Sequence, residues 1–403
     1  MSQTARQLHF NLFLTGAGHH PASWRHSLVA PQRLLELDYF TELVQLAEGA
    51  KLDAIFFKDR LGNDSQQQSS PLGHFESFTL LAALAVRTQK IGLIASASTI
   101  YNQPYHVARK LTSLDYLTGG RAAWNIQPSK GADEAHNYGL DEVPSHEVRD
   151  ERTREFVSVV KDLWDSWEDE AVVLGGEFKL RTDPTKVRPI DHIGTHFQVA
   201  GPLNIPRPIQ GHPVLAQKYI GKSEDFGASQ HAELFFTQAR SLNEALSIAS
   251  KLWRRLEVLE RDSHHTRIFV PLDFTLGETL SAAQHKRAEL DALRVPSQGV
   301  ERFIGTSRLE GFVGTPTQLA DHIEGWFTSG AVDGFNLRPS LFPSDLQLFV
   351  EAVVPELQRR GLFRTDYEGT TLREHLGLRR SPNEFVALAA LRGIAPAKPV
   401  EFV

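Results

Sequence analysis

The chain has 403 residues, of which 41% are hydrophobic and 23% are charged, the balance of an ordinary soluble globular protein. Its formal net charge of −6 gives no basic footprint, so we expect no nucleic-acid partner. It contains no cysteine, which excludes disulfides, thiolate metal sites and a cysteine nucleophile. Residues 1–9 lack an apolar signal-peptide core and no stretch has the apolar length of a membrane span, so we expect a cytoplasmic protein without membrane contact.

Short apolar runs alternate with longer amphipathic segments along the chain. The runs are nearly continuous in hydrophobicity, as expected of parallel strands that are covered on both faces. Eight strands alternating with helices favour a single (β/α)8 TIM barrel over an open doubly wound sheet. The predicted strands are Leu8–Leu14, Asp53–Phe57, Ile91–Ala95, Ala122–Ile126, Pro213–Gln217, Glu233–Thr237, Ile268–Phe274 and Gly334–Leu337. The predicted helices are Leu34–Glu48, Glu76–Arg87, Tyr105–Leu117, Glu155–Trp167, Leu242–Leu259, Ser281–Leu293, Pro316–Thr328 and Leu346–Arg360.

Two segments interrupt this alternation. Residues 127–150 are polar and rich in Gly and His, and residues 169–211 are rich in Pro and Gly. Long irregular insertions in a compact domain usually carry function, so we expect both to cover the barrel mouth as lids. The C-terminal tail, about 362–403, is expected to pack outside the barrel. Because no repeat or low-complexity linker occurs, we interpret residues 1–403 as one domain.

Familiar cofactor and metal motifs are incomplete in this sequence. Gly16–Pro21 follows a strand like a dinucleotide-binding loop, but it ends in Pro rather than Gly and no helix begins there. Neither a phosphate-binding P-loop nor a nucleophile elbow occurs. The pairs His19-His20 and His264-His265 are adjacent in sequence, so their side chains diverge on a helix or strand. We therefore predict no metal site.

The chemistry of a TIM barrel lies at the C-terminal ends of its strands. In this chain those positions are rich in hydroxyls and amides, with one carboxylate and with Trp24 and Tyr101 nearby. Such a set suits a planar organic ligand with polar edges. We predict that Asp59, Ser96 and Asn125 lie together at one mouth. The segments concerned are Thr15–Trp24, Lys58–Arg60, Ser96–Thr99, Asn125–Lys130 and Gln217–Gly221.

A series of stretches spread over almost the whole chain carries a specific family resemblance. They are Gly18–Arg25, Asp53–Phe57, Asp59-Arg60, Ala95–Arg109, Gly119–Ile126, Leu163–Trp167, Gly201–Asn204, Phe312–Pro316, Asp333–Leu337 and Thr371–Leu376. Together they resemble the luciferase-like flavin monooxygenases, in the branch of the nitrilotriacetate and dibenzothiophene-sulfone monooxygenases.

The resemblance implies a two-component monooxygenase. Reduced FMN is delivered by a separate NAD(P)H:flavin reductase, and O2 adds to it to give a C4a-hydroperoxide. One oxygen atom then passes to a small organic substrate such as a sulfone, amine or heterocycle. The cofactor carries the hard step, so the protein has to hold the ring and exclude water, and no catalytic side chain is assigned. Analogy with the family also implies a homodimer.

Five positions match the flavin-binding positions of the family. Asp59 matches a carboxylate near the flavin, Ser96 a flavin-contacting hydroxyl, and His146 a histidine near the flavin phosphate. Asp150 stands where the family has a phosphate-contacting Tyr. Gly221 lies in the loop after the fifth strand, where the family has a turn of small residues.

The last two positions make the expected phosphate contacts atypical. An ionised Asp150 only accepts hydrogen bonds and repels a phosphate dianion, whereas a Tyr hydroxyl donates. Lys218 or Lys222 can offset this by pairing with the phosphate. Two alternatives to FMN-dependent oxygenation stay open: a barrel that binds a ligand or partner without oxygenation, and one that uses a deazaflavin or nicotinamide cofactor.

Overall fold

The computed structural model describes residues 6–57, 59–62, 74–174, 180–221, 230–294 and 311–392. Within these ranges eight parallel strands pair in chain order and close into a barrel, because β8 pairs with β1. The predicted (β/α)8 barrel is therefore confirmed. The barrel strands are β1 (His9–Leu14), β2 (Ala54–Phe57), β3 (Gly92–Ser98), β4 (Ala122–Gln127), β5 (Val214–Lys218), β6 (Leu234–Phe236), β7 (Arg267–Leu276) and β8 (Gly334–Pro339).

Helices surround this barrel and extend beyond it. They are α1 (Leu37–Gly49), α2 (Ser77–Ala85), α3 (Pro104–Thr118), α4 (Ala132–Asn137), α5 (His146–Asp165), α6 (Leu242–Val258), α7 (Leu280–Ala292), α8 (Pro316–Thr328), α9 (Ser344–Leu348), α10 (Val354–Arg359), α11 (Leu372–His375) and α12 (Glu384–Arg392). A π-helical turn, Phe349–Val353, joins α9 to α10. Short strands outside the barrel are Val172–Leu174, Leu180–Thr182, His192–Ile193, Gln198–Val199 and Phe312–Gly314.

Local sequence explains where several of these elements begin and end. Helix α3 starts on Pro104, whose fixed φ and missing N–H suit a first turn, and it ends at Gly119 with a left-handed φ of 66°. Helix α8 begins with a capping box between Thr315 and Gln318. In β8, a Cβ on Gly334 would lie 2.2 Å from the carbonyl oxygen of His9, so only glycine fits where β8 meets β1.

The C-terminal tail closes the N-terminal end of the barrel. Leu372 and Leu376 are fully buried and belong to the same apolar cluster as Ile94 in the barrel interior. Arg373 donates to both carboxylate oxygens of Glu233, at 2.6 and 2.9 Å. The tail, which was expected outside the barrel, thus covers the open N-terminal end of its lumen. The apolar side chains at this end of the lumen would otherwise face water, and the tail leucines cover them.

The described residues of the second insertion pack along α5 on the outside of the barrel. Glu155 in the middle of α5 accepts hydrogen bonds from the backbone N–H groups of His196 and Phe197, at 2.9 and 2.8 Å. Arg207 donates to Asp165 at the C-terminal end of α5, at 2.9 Å. The ring of Phe197 also lies against Arg152, whose Nε donates to the carbonyl oxygen of Thr99 after β3, at 3.1 Å. The described residues of 169–211 therefore follow α5 from beside the mouth to its C-terminal end. That this segment acts as a lid stays a prediction.

Candidate active site

A chain of hydrogen bonds joins the loop after β2 and the start of α2 to β3 and β4, toward the C-terminal end of the barrel. The amide group of Asn125 donates to Oγ of Ser96 at 3.0 Å, and the Ser96 hydroxyl donates to the carbonyl oxygen of Phe57 at 3.0 Å. The Ser96 N–H donates to Oγ of Ser77 at 3.0 Å, and the Ser77 N–H donates to the carboxylate of Asp59 at 3.4 Å. The structure thus brings Asp59, Ser96 and Asn125 together, and all three are buried.

Aromatic rings line the inside of the barrel. The ring centroids of Phe13 and Phe56 are 4.8 Å apart, and those of Phe56 and Phe236 are 5.1 Å apart. Phe236 lies edge-on to Phe269 at 6.0 Å. These side chains give the lumen an apolar surface that keeps water out and offers flat contacts to an aromatic ligand.

Several polar side-chain atoms around the lumen and its C-terminal end are buried without a hydrogen-bond partner among the described residues, and three of them belong to β1 or follow β3 and β4. They are Oδ1 of Asn11 on β1, the hydroxyl of Tyr101 after β3 and Oγ of Ser129 after β4. A buried polar atom left unpaired costs about 1–3 kcal/mol. These atoms therefore fit a ligand whose edges form hydrogen bonds. The flavin ring that the family resemblance implies is such a ligand.

Residues of the first insertion contact two loops at the C-terminal end of the barrel. Asn137 on α4 donates to the carbonyl oxygen of Leu61, at 2.9 Å, and Asp133 pairs with Arg60 at 3.4 Å. The ring of Tyr138 stacks on Tyr101, with centroids 4.6 Å apart and planes 12° apart. Residues after β4 thus contact the loops after β2 and β3.

His146 and Asp150 lie one turn apart at the start of α5. Ser145 caps this helix, and its side chain accepts a hydrogen bond from the N–H of Val148. The Asp150 carboxylate pairs with Nε of Arg154, one turn further along, at 3.4 Å. The Arg154 partner was not anticipated from the sequence, although its spacing from Asp150 is that of a helical ion pair.

A hydroxyl contact fixes α5 beside the mouth. Oγ1 of Thr153 lies 2.7 Å from Oγ1 of Thr99, which follows β3.

Gly221 lies in the loop after β5 with a φ of 74°, a conformation that favours glycine, and its nearest neighbours are on α6. Lys58 and Lys222 lie outside the described residues. The predicted site residues thus fall into three groups: Asp59 with Ser96, His146 with Asp150, and Gly221.

An Arg–Asp–His cluster at the ends of β7 and β8 was missed by the sequence reasoning. Arg338 and Asp273 are in register on these strands, and Nε of Arg338 lies 3.2 Å from Oδ1 of Asp273. The same Nε donates to Nδ1 of His19 at 3.4 Å, while Nε2 of His19 lies 2.8 Å from the carbonyl oxygen of Phe13. The available signal was that Arg338 is the first residue after the eighth predicted strand.

Electrostatics fix the protonation state of this cluster. Burial, with a further contribution from the charge of Arg338, lowers the pKa of His19 to about 3. The ring is therefore neutral at physiological pH, with its proton on Nε2 and a lone pair on Nδ1 toward Arg338. Burial raises the pKa of Asp273, and the neighbouring Arg338 opposes that rise.

Within the described ranges, no three His, Asp or Glu side chains come together in a way that could hold a metal ion. No helix in that part of the chain combines the length and apolar character needed to cross a bilayer.

Comparison with known proteins places this barrel in one family. The model of the luciferase-like monooxygenases matches residues 10–333. N-acetyl-S-(2-succino)cysteine monooxygenase of Bacillus subtilis (strain 168) is 37% identical, over 96% of this chain and 100% of the relative. Nitrilotriacetate monooxygenase component A of Aminobacter aminovorans is 36% identical, over 94% of this chain and 98% of the relative.

A solved structure agrees with these sequence relationships. EDTA monooxygenase from Chelativorans sp. BNC1 superposes with a TM-score of 0.83 at 30% identity, over 94% of this chain and 100% of that one. The chain therefore belongs to the luciferase-like monooxygenase family of flavin-dependent oxidoreductases.

Proposed function

We propose that this chain is the oxygenating component of a two-component monooxygenase. It takes reduced FMN from a separate NAD(P)H:flavin reductase and uses O2 to oxygenate a small organic substrate. The observation that carries this proposal is the polar rim formed by Asp59, Ser96 and Asn125, with unpaired buried hydroxyls at Tyr101 and Ser129, around an apolar lumen. A flat ring with polar edges satisfies both features.

The name of one relative supports the division of labour. Nitrilotriacetate monooxygenase component A is named as one part of a larger system. The family resemblance supplies the second part as a flavin reductase. By the same analogy we propose a cytoplasmic homodimer, which light scattering on the purified chain would test.

The ring end of the flavin is assigned to the loop after β2 and to the C-terminal halves of β3 and β4. Asp59 accepts one hydrogen bond from the Ser77 N–H, and a carboxylate has further acceptor capacity for a ring N–H. Ser96 has its hydroxyl proton committed to Phe57, so toward a ligand it offers a lone pair. When bound, reduced flavin supplies the electrons that activate O2 for oxygen transfer.

The protein itself positions the flavin ring and excludes water from it. Phe13 and Phe56 present hydrocarbon surface inside the barrel, and the stacked Tyr101–Tyr138 pair covers part of the mouth. Exclusion of water strengthens each hydrogen bond to the ring and protects reactive species from loss to solvent.

The phosphate end is assigned to the start of α5 and the loop after β5. Helix N-termini favour anions, and His146 stands on the first turn of α5. Asp150 opposes an anion there, but its pairing with Arg154 offsets part of its charge. Lys218 at the end of β5, and Lys222 beyond the described residues, are the further cations proposed for this site.

Anaerobic titration of the purified chain tests the proposal. Reduced FMN should bind and change the flavin fluorescence, and admission of O2 with a flavin reductase and a candidate substrate should give a product that is one oxygen atom heavier by mass spectrometry. Binding of a deazaflavin or nicotinamide cofactor with no binding of reduced FMN would contradict it.

A further inference from the structure

Arg338 presents a hydrogen-bonding end that the fold does not use. Its Nε contacts Asp273 and His19, but neither terminal nitrogen, Nη1 or Nη2, donates a hydrogen bond within the part of the chain that the structure describes. The side chain is 29% exposed, so its outer end reaches open space. An arginine that is anchored at Nε and open at its two terminal nitrogens has a rigid pair of parallel donors to offer.

The position of Arg338 places this end in the barrel mouth. Asn336, two residues earlier on β8, faces the lumen and accepts a hydrogen bond from Asn11 on β1 at 3.2 Å. Side chains alternate along a strand, so Arg338 faces the same side one layer nearer the C-terminal end. Its guanidinium also lies 6.0 Å from the centre of the Phe13 ring.

The terminal nitrogens of Arg338 lie across the lumen from the polar rim of Asp59, Ser96 and Asn125. In a closed barrel of eight strands, β8 stands opposite β4, and β7 opposite β3. Asn125 and Ser96 belong to β4 and β3, whereas Arg338 and Asp273 belong to β8 and β7. A molecule that rests between the ring site and the far wall therefore meets Arg338.

From this geometry we infer that Arg338 binds a carboxylate of the substrate, so that the enzyme acts on an organic acid. The inference rests on the proposed oxygenase function and adds a substrate class to it. The two terminal nitrogens match the two oxygens of a carboxylate, while Asp273 and His19 act as positioning residues that hold the guanidinium. Phe13 offers apolar contact to the body of the same molecule.

The flavin phosphate shares the chemistry of an oxyanion, but its proposed site is elsewhere. His146 and Asp150 are on α5, and Gly221 follows β5, so that site lies on the β4–β5 side of the mouth. Arg338 is on the opposite side, where the ring site separates it from the phosphate.

Calorimetric titration of the full chain loaded with FMN tests the inference. The probes are N-acetyl-S-(2-succino)cysteine and nitrilotriacetate, each compared with its fully methyl-esterified form. We expect the acids to bind more tightly than the esters, and Arg338→Gln to weaken acid binding roughly 10- to 100-fold with no change for the esters. Arg338→Lys, which keeps the charge but loses the paired donors, should fall between the two.

Two further variants guard against indirect effects. The double variant Arg338→Gln with Asp273→Asn avoids leaving a partly buried Asp unpaired and should bind the acids as weakly as Arg338→Gln alone. Arg87→Gln, at an exposed arginine after α2, is the matched control and should bind them like the wild-type chain.

Three results would overturn the inference alone. They are equal binding of acid and ester, an Arg338→Gln affinity for acids like that of the wild type, and no binding of either acid by a chain that binds FMN. Weaker binding of FMN but not of riboflavin by Arg338→Gln would also overturn it, because the anion would then be the cofactor phosphate. A wild-type chain that binds no flavin would instead contradict the proposed function itself.

Discussion

Asp59 is part of the polar rim at the barrel mouth, and the residue is only 9% exposed. Among the described residues, the Ser77 N–H is the one hydrogen-bond donor to its carboxylate. Arg60, its neighbour in sequence, pairs with Asp133. The other carboxylate oxygen of Asp59 lies 3.6 Å from Nε2 of His74, so the carboxylate is held at the mouth with acceptor capacity to spare.

Replacement of this carboxylate should weaken flavin binding. We expect Asp59→Ala to reduce the affinity for reduced flavin by about 1–3 kcal/mol, the cost of losing a hydrogen bond to a partly buried polar group. Anaerobic fluorescence titration gives the affinity, with Asp38→Ala at an exposed position on α1 as control. An unchanged affinity in Asp59→Ala would place the ring elsewhere.

Asp150 allows the phosphate end to be tested separately. Asp150→Tyr removes a negative charge, adds a donor and frees Arg154 from its ion pair, so we expect FMN binding to strengthen by roughly 1–2 kcal/mol. Riboflavin, which has no phosphate, should bind with nearly unchanged affinity. Titration of the variant with both flavins checks this, and Glu151→Gln, at the neighbouring exposed carboxylate, is the control.

Weaker FMN binding by Asp150→Tyr would show instead that Asp150 positions a cation for the phosphate. Lys218→Ala should then weaken FMN binding as well. No change with either flavin would move the phosphate away from α5.

At the scale of elements, all eight barrel strands were predictable. Parallel strands covered on both faces appear as apolar runs, and β4, predicted as Ala122–Ile126, is found at Ala122–Gln127. Helix α5 was predicted from Glu155 but begins at His146, because its first turns are charged and show no apolar stripe. The predicted helix Leu346–Arg360 is interrupted by a π turn just before Pro355, which has no N–H for the helical ladder.

The same limits apply to the site. Asp59, Ser96 and Asn125 could be placed together because the ends of consecutive parallel strands meet at one edge. The contact between Arg338 and Asp273 could not, because it depends on the register between β7 and β8 and on which face each side chain takes.

The tail leucines make a clear prediction about stability. Leu372 is fully buried at the N-terminal end of the barrel, where a Cβ on Gly92 would meet it at 2.5 Å. Leu372→Ala should lower the free energy of unfolding by about 2–5 kcal/mol, through lost burial and the cavity left behind. Urea denaturation measures it, and Leu388→Ala, 47% exposed on α12, should change it by no more than about 0.5 kcal/mol. Similar values for the two variants would mean that the tail does not stabilise the barrel.

For the whole molecule, buried histidines should set the response to acid. Burial is the main cause that lowers the pKa of His19 and of His231 to about 3, and that of His375 to about 4. In the unfolded chain each titrates at about 6.5. Between these values the unfolded chain binds protons that the folded chain does not, so stability should fall as the pH drops from about 6.5 toward 4, by up to about 1.4 kcal/mol per pH unit for each proton.

His375→Phe isolates one of these protons. The ring packs beside Tyr367, with centroids 4.8 Å apart, and phenylalanine fills a similar volume. Between pH 4 and 6, the slope of the unfolding free energy against pH should decrease by up to the contribution of one bound proton. Denaturation at a series of pH values measures this slope. His285→Gln, at an exposed histidine of α7, should keep the wild-type slope. A wild-type slope in His375→Phe would show that this histidine does not contribute.

The closure of the barrel also determines when the protein can fold during its synthesis. β1 is the first strand to leave the ribosome, but its partner on one side is β8, with His9 in register with Gly334. The leucines that cover the lumen come later still, at Leu372 and Leu376. Until then the nascent chain carries an unpaired strand edge and uncovered apolar side chains, the features that lead incomplete chains to aggregate and that chaperones bind. Release of nearly the entire polypeptide is therefore the condition for a sealed barrel.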